Sequence, residues 1–207
     1  MIKKLLATAV TILFVGGTQA KSLNYFDAAS VRIQAAKVLH QAGLLSTEEA
    51  QGLNWGVGEY HAIDIELEGM GNIGTGEKSV TKDVPAQEAF WYVNDMNVMG
   101  QAQKSEALMR RSDGKVLKLI VNGEEQDPDQ GGGEVEIIEQ YQTTVTVPAG
   151  TFDCFYIKAK ITDDSGKEQI AELWVNPADV NLDGMLKIRM ETQFGGLLMI
   201  LREFGKK

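Results

Sequence analysis

The chain has 207 residues, with 29 acidic against 20 basic side chains, a formal net charge of −9 and a single cysteine. That balance argues against a nucleic-acid partner, because phosphate binding needs a basic surface, and against adsorption to anionic lipid by charge alone. The lone Cys154 excludes an intramolecular disulfide, so stability has to come from packing.

The first twenty residues, MIKKLLATAVTILFVGGTQA, combine a basic start at Lys3 and Lys4, an apolar run over 5–15 and a small residue at Ala20. These are the parts of a cleaved secretory signal peptide, which places the mature protein in the periplasm with its start near Lys21. The apolar run is too short to span a bilayer and no cysteine follows it, so neither a transmembrane segment after cleavage nor a lipid anchor is expected. Residues 21–207 then read as a single mainly-β domain, with a helical N-terminal segment over 24–52 and a sheet over 55–205.

In residues 24–42, Ala28, Val31, Ala35, Val38, Leu39 and Ala42 recur at helical spacing, with Asn24 as cap and Gly43 as stop. Ser46 and Glu49 form a capping box that opens a second short helix, ended by Gly52. From Trp55 the period changes to two. Ile63, Ile65 and Leu67 alternate with Asp64 and Glu66; Phe155, Ile157, Ala159 and Ile161 with Tyr156, Lys158 and Lys160; Leu186, Ile188 and Met190 with Lys187, Arg189 and Glu191. Each segment predicts a strand with one apolar face. Further strands are expected over 77–84, 89–98, 102–111, 116–122, 135–147, 169–175 and 197–204. Short connections at 112–114 (SDG) and 163–166 (DDSG) suit hairpins, so neighbours should run antiparallel. The expected fold is mainly β with an N-terminal helix: a curved antiparallel sheet of about ten strands, closed as a barrel or left as a half-barrel. DPDQGGG, over 127–133, reads as a solvated loop between strands.

The most specific chemical signal is DVNLDG, over 179–184. Asp179, Asn181 and Asp183 supply oxygens at positions one, three and five of a calcium loop, and Gly184 stands at six. Position twelve, which should be a bidentate glutamate, is Met190, and the flanks read as strands, so a polar turn competes with the metal site. GNIGTGEKS, over 71–79, is a superficial phosphate loop with Glu77 where phosphate should sit; it reads as a hairpin turn. His40 and His61 lack companions at metal-ligand spacing and read as ordinary structural or surface residues. Cys154 reads as a buried, inert thiol. No GxSxG elbow or HExxH helix occurs, so no catalytic residue and no cofactor is expected.

The methionines of the mature chain and its three tryptophans read mainly as core, yet flexible methionines also suit a cavity for apolar ligands. A curled antiparallel sheet can enclose one, for which Trp91, Trp174, Leu186, Ile188 and Met190 are the candidate lining.

TVPAGTFDCFYIK over 146–158, followed by AELWVNPADVNLDGMLK and Phe204-Gly205, resembles exported bacterial proteins that carry domains of unknown function, with a Pro-Ala-Gly-Thr-Phe turn and a Trp-x-x-Pro strand. Such proteins are similar in layout to the lipoprotein-carrier fold, a curved antiparallel sheet around a helix. The resemblance implies an envelope location and handling of a lipid or lipoprotein, and it supplies no catalytic residues. In the related pattern the stretch after Trp-x-x-Pro is a turn leading into a strand, which favours the turn reading of 179–184. The leading expectation is therefore a non-enzymatic periplasmic protein binding a lipid or other apolar ligand. A structural or interaction protein of the envelope with a packed core is the alternative, and a calcium-binding module at 179–184 a further one.

Overall fold

The structure, a computed structural model, describes residues 53–127, 134–162, 168–192 and 195–207. The signal peptide over 1–20 and the helical segment over 24–52 lie outside the described residues, as do 128–133 of the Asp-Gly-rich loop. Eleven strands follow in chain order: β1 (Glu59–Leu67), β2 (Gly71–Val84), β3 (Ala89–Val98), β4 (Gln101–Arg110), β5 (Val116–Val121), β6 (Glu124–Gln126), β7 (Glu134–Val147), β8 (Gly150–Thr162), β9 (Glu168–Val175), β10 (Met185–Thr192) and β11 (Gly195–Lys206).

All eleven form one antiparallel sheet in the order β6-β5-β4-β3-β2-β1-β11-β10-β9-β8-β7. The chain runs as a meander away from β1 and returns, so that β1 and β11 pair in the middle and β6 and β7 form the edges. The sheet curls, for β7 also lies against β10 and β11. It does not close. The barrel alternative is thereby corrected: β6 has three residues and pairs with β5, and among the described residues no ladder joins it to β7. β6 is also the strand missing from the sequence-based count, because three exposed polar residues carry no alternation to detect.

The period-two segments behave as their patterns require. In β1, His61, Ile63, Ile65 and Leu67 are buried while Asp64 and Glu66 are half-buried on the other face. In β10, Ile188 and Met190 are buried and Lys187 and Arg189 are not. The expected hairpin at 112–114 joins β4 to β5; β8 and β9 pair antiparallel, and the hairpin expected at 163–166 between them lies outside the described residues.

Residues 71–79 are a second correction. They belong to β2, and the reversal lies just before them, where Met70 N–H donates to Leu67 O at 2.9 Å. The glycines mark close approach of neighbouring strands. A Cβ on Gly74 would sit 2.2 Å from Asn97 O and 2.9 Å from Val98 Cα, both backbone atoms of β3, which cannot give way.

Three apolar clusters hold the sheet. The first includes Ile63, Ile65, Ile157, Leu173, Ile188 and Met199. The second includes Trp55, Val80, Phe90, Tyr92, Met109 and Leu182. The third includes Val147, Cys154, Val180, Leu186 and Leu201. Each fully buried Ile, Leu or Phe contributes roughly 1.5–3 kcal/mol by leaving water. The first described residues are part of this packing: the Trp55 ring lies tilted against Phe90 and Tyr92, with centroids 5.4 Å and 5.5 Å away. Arg111 fastens that segment by donating to Trp55 O at 2.7 Å, with its guanidinium 4.8 Å over the Phe90 ring.

Candidate functional site

Residues 176–184 connect β9 to β10, and their conformation follows from their side chains. Asn176 Oδ1 accepts hydrogen bonds from the backbone N–H groups of Ala178 (3.0 Å) and Asp179 (2.9 Å), the Asx pattern that starts a turn. Its Nδ2 donates to Asp153 O at 2.9 Å, tying the loop to β8, and to Asp179 Oδ2 at 2.7 Å. Asn176 N–H then donates to Gly184 O at 2.7 Å and closes the loop on itself. Gly184 has φ +63°, and a Cβ there would lie 2.7 Å from Pro177 Cα, so only glycine fits.

Between these ends the chain dives inward. Val180 is 1% exposed in the third apolar cluster and Leu182 is 0% exposed in the second, so one short loop spans two cores. Leu182 adopts φ +55°, which costs a residue with a Cβ about 1–2 kcal/mol. Burial of its side chain returns roughly 1.5–3 kcal/mol, enough to hold the conformation.

Asp183, next in the chain, enters the interior as a charge. Its side chain is 0% exposed; Oδ2 lies 3.2 Å from Lys78 Nζ and Oδ1 lies 3.3 Å from His61 Nδ1. The backbone N–H of Met185 donates to Oδ1 at 3.1 Å. His61 and Lys78 are cross-strand partners on β1 and β2, so their side chains share a face and a carboxylate between them is the natural counter-group. Burial works to raise the Asp183 pKa. The Lys78 ammonium, His61 and the Met185 N–H outweigh it and hold the carboxyl below the usual carboxylate range. The contact from His61 Nδ1 is an ion-pair distance without an aligned hydrogen bond, and Nε2 has no hydrogen-bond partner among the described residues. The ring instead meets Phe204 edge-on at 6.2 Å.

Histidine, lysine and aspartate are the vocabulary of proton transfer, but a catalytic group has to meet a substrate. Here the side chains are 0–4% exposed. As arranged, the cluster can pin the 176–184 loop to β1 and β2.

The oxygens of the candidate calcium loop diverge. Asp183 points into the core, Asp179 is exposed and engaged with Asn176, and Asn181 Nδ2 reaches Gly205 O at 3.5 Å. Among the described residues no three His, Cys, Asp or Glu side chains gather as a metal site would require. The candidate apolar lining is also distributed. Ile188 and Met190 belong to the first cluster, Leu186 to the third with Trp174 against it, and Trp91 is half-buried opposite Leu108 and Lys82. Trp174 pairs with Lys187 and so faces away from Ile188. Lys187 Nζ caps the Trp174 ring at 4.9 Å. Cys154 is buried, and that burial, helped by the Asp153 carboxylate, pushes its thiol up to about 11, which leaves little thiolate at neutral pH.

No family model and no curated protein matches the chain. Solved structures similar to it include a protein from Bacteroides fragilis described as exported and having a YmcC-like fold, at 12% identity and a TM-score of 0.42, covering 75% of this chain and 99% of that one. Another is a protein from Parabacteroides distasonis described as a lipoprotein, at 10% identity and a TM-score of 0.41, covering 74% of this chain and 97% of that one.

Proposed function

We propose that this is a non-enzymatic protein of the periplasm that works by presenting a rigid sheet to a partner. The observation that carries the reading is the inward packing of the 176–184 loop. Val180 and Leu182 fill two cores, and Asp183 pairs with the buried Lys78 ammonium beside His61. Of the five candidate lining residues, Leu186, Ile188 and Met190 are 0–3% exposed and packed among other core side chains, while Trp91 and Trp174 are half-buried. The periplasmic location rests on the leader over 1–20, whose basic start and apolar run are built for export.

A native mass spectrum of the mature protein, purified from a periplasmic extract and recorded before and after chelator, tests this reading. The expected result is the bare polypeptide mass in both spectra. An adduct of lipid mass that survives chelator overturns it in favour of a carrier; a calcium-mass adduct lost to chelator makes 179–184 a metal site.

A further inference from the structure

The edge strand β7 is 14 residues long, and among the described residues its only ladder is to β8. An edge of that length is a template for another strand unless something blocks it. Its first half is blocked: the ladder shifts between Ile137 and Glu139, leaving Ile138 52% exposed, and Glu136 and Glu139 add charge. From Gln140 to Val147 the strand reads QYQTTVTV, with no charge and no proline, and Tyr141 is 48% exposed. Among the described residues this half has neither charge nor proline to block pairing.

Beside it lies a cleft of about 570 Å³ whose walls include Gln142, Thr144, Asp153, Phe155, Asn176 and Asp179. One wall is thus the edge strand itself and another is the loop that closes over the core. Thr144 and Asp153 are cross-strand partners, and the Thr144 hydroxyl donates to Asp153 Oδ1 at 2.9 Å, which fixes that carboxylate at the wall. Asp179 supplies a second carboxylate, and among the described residues no lysine or arginine lines the cleft.

We infer that β7 accepts an added strand along residues 140–144 from an extended polypeptide that places a basic side chain in this cleft. The inference rests on the reading of the protein as a partner-presenting sheet and names the partner's chemistry. Main-chain hydrogen bonds to the edge supply affinity, and the pocket beside it selects one side chain in two. Charge complementarity favours a foreign segment over a second copy of this chain. β7 contains no lysine or arginine, so β7 paired with β7 would leave both carboxylates without a counter-charge.

The test uses the ¹⁵N-labelled mature protein and two blocked heptapeptides of alternating threonine and valine, one with a central lysine and one with a central glutamate. Addition of the lysine peptide should shift amide resonances at 140–144 and in the facing part of β8, and slow hydrogen exchange at the outward amides of β7. The glutamate peptide should bind about tenfold more weakly, and the isosteric Asp153→Asn/Asp179→Asn variant should lose that discrimination while keeping its melting temperature. Neighbouring amides of a strand point to opposite sides, so one of Gln142→Pro and Thr143→Pro removes an outward donor. The variant of the two that stays folded should lose binding if it is the outward one. No shift at millimolar peptide, or equal affinity for the two peptides, overturns the inference. So does slow exchange of the outward β7 amides without peptide, which means that residues 21–52 or a second copy already occupy the edge; a concentration-dependent mass identifies the latter. Absent peptide binding with a bare native mass defeats the strand addition alone, whereas a lipid adduct defeats the reading beneath it.

Discussion

Asp183→Asn should be the most damaging single substitution in the described part of the chain, lowering unfolding free energy in urea by about 3–5 kcal/mol at pH 7. The asparagine oxygen can still accept from the Met185 N–H, so shape and one hydrogen bond survive. What is lost is the charge facing Lys78 Nζ at 3.2 Å, and an ammonium left 4% exposed with no counter-ion is the costly outcome. Lys78→Met added to Asp183→Asn should therefore recover most of the loss, since a methionine there has no charge to desolvate. The pH dependence has a definite sign. The folded pKa of Asp183 lies below its unfolded value, so the unfolded chain takes up the proton first as pH falls. The stabilisation is complete above the unfolded pKa, about 3.9, and fades as pH descends from there toward the folded pKa. The gap between wild type and Asp183→Asn should accordingly be constant between about pH 5 and 7 and shrink below about pH 4. A gap that instead grows with acid would assign the effect to some other group.

Leu182→Ala carries the second large effect, about 2–5 kcal/mol in the same urea assay. The side chain is 0% exposed among Trp55, Phe90 and Met109, so truncation removes transfer energy and leaves a cavity that two strands and a tryptophan cannot collapse to fill. Alanine relieves none of the left-handed strain at φ +55°, because its Cβ meets the same backbone. Leu182→Gly separates the two contributions: it enlarges the cavity by only one more carbon but removes the strain, and should come out no worse than alanine. If alanine costs less than about 1 kcal/mol, Leu182 is not an anchor and the loop is held from its ends.

The strands were legible in the sequence wherever one face is apolar, as at Ile63, Ile65 and Leu67, because alternation is what half-burial leaves behind. It failed where composition and geometry part company. Residues 71–76 are rich in glycine, which sequence logic assigns to turns, whereas in β2 the missing side chains let β3 approach. Closure was beyond reach because it depends on whether β6 and β7 pair, and β6 has no side-chain pattern at all.

The candidate site was half visible. In 179–184 the eye goes to the oxygens at alternate positions, but the apolar residues between them, Val180 and Leu182, are the ones that set the loop's direction. A further signal was present and unread. His61 has the parity of Ile63 and Ile65, and Lys78 has the parity of Val80, so two potentially cationic groups had to lie on a buried face and required a carboxylate. Which carboxylate could not follow from sequence, since Asp183 arrives from 105 residues beyond Lys78 and only the β1–β11 pairing brings β10 near β2.

The central claim is that the loop over 176–184 is part of the core rather than a gate to it, and amide hydrogen exchange under native conditions tests this most directly. The N–H groups of Asn176, Val180 and Met185 are bonded to Gly184 O, Asn176 O and Asp183 Oδ1. They should exchange as slowly as those of β1 and β10, through global unfolding alone. Exchange at the rate of an open loop would mean that the segment lifts in the folded protein, exposing His61, Lys78 and Asp183 to solvent and opening a route for a ligand or substrate, which contradicts the account.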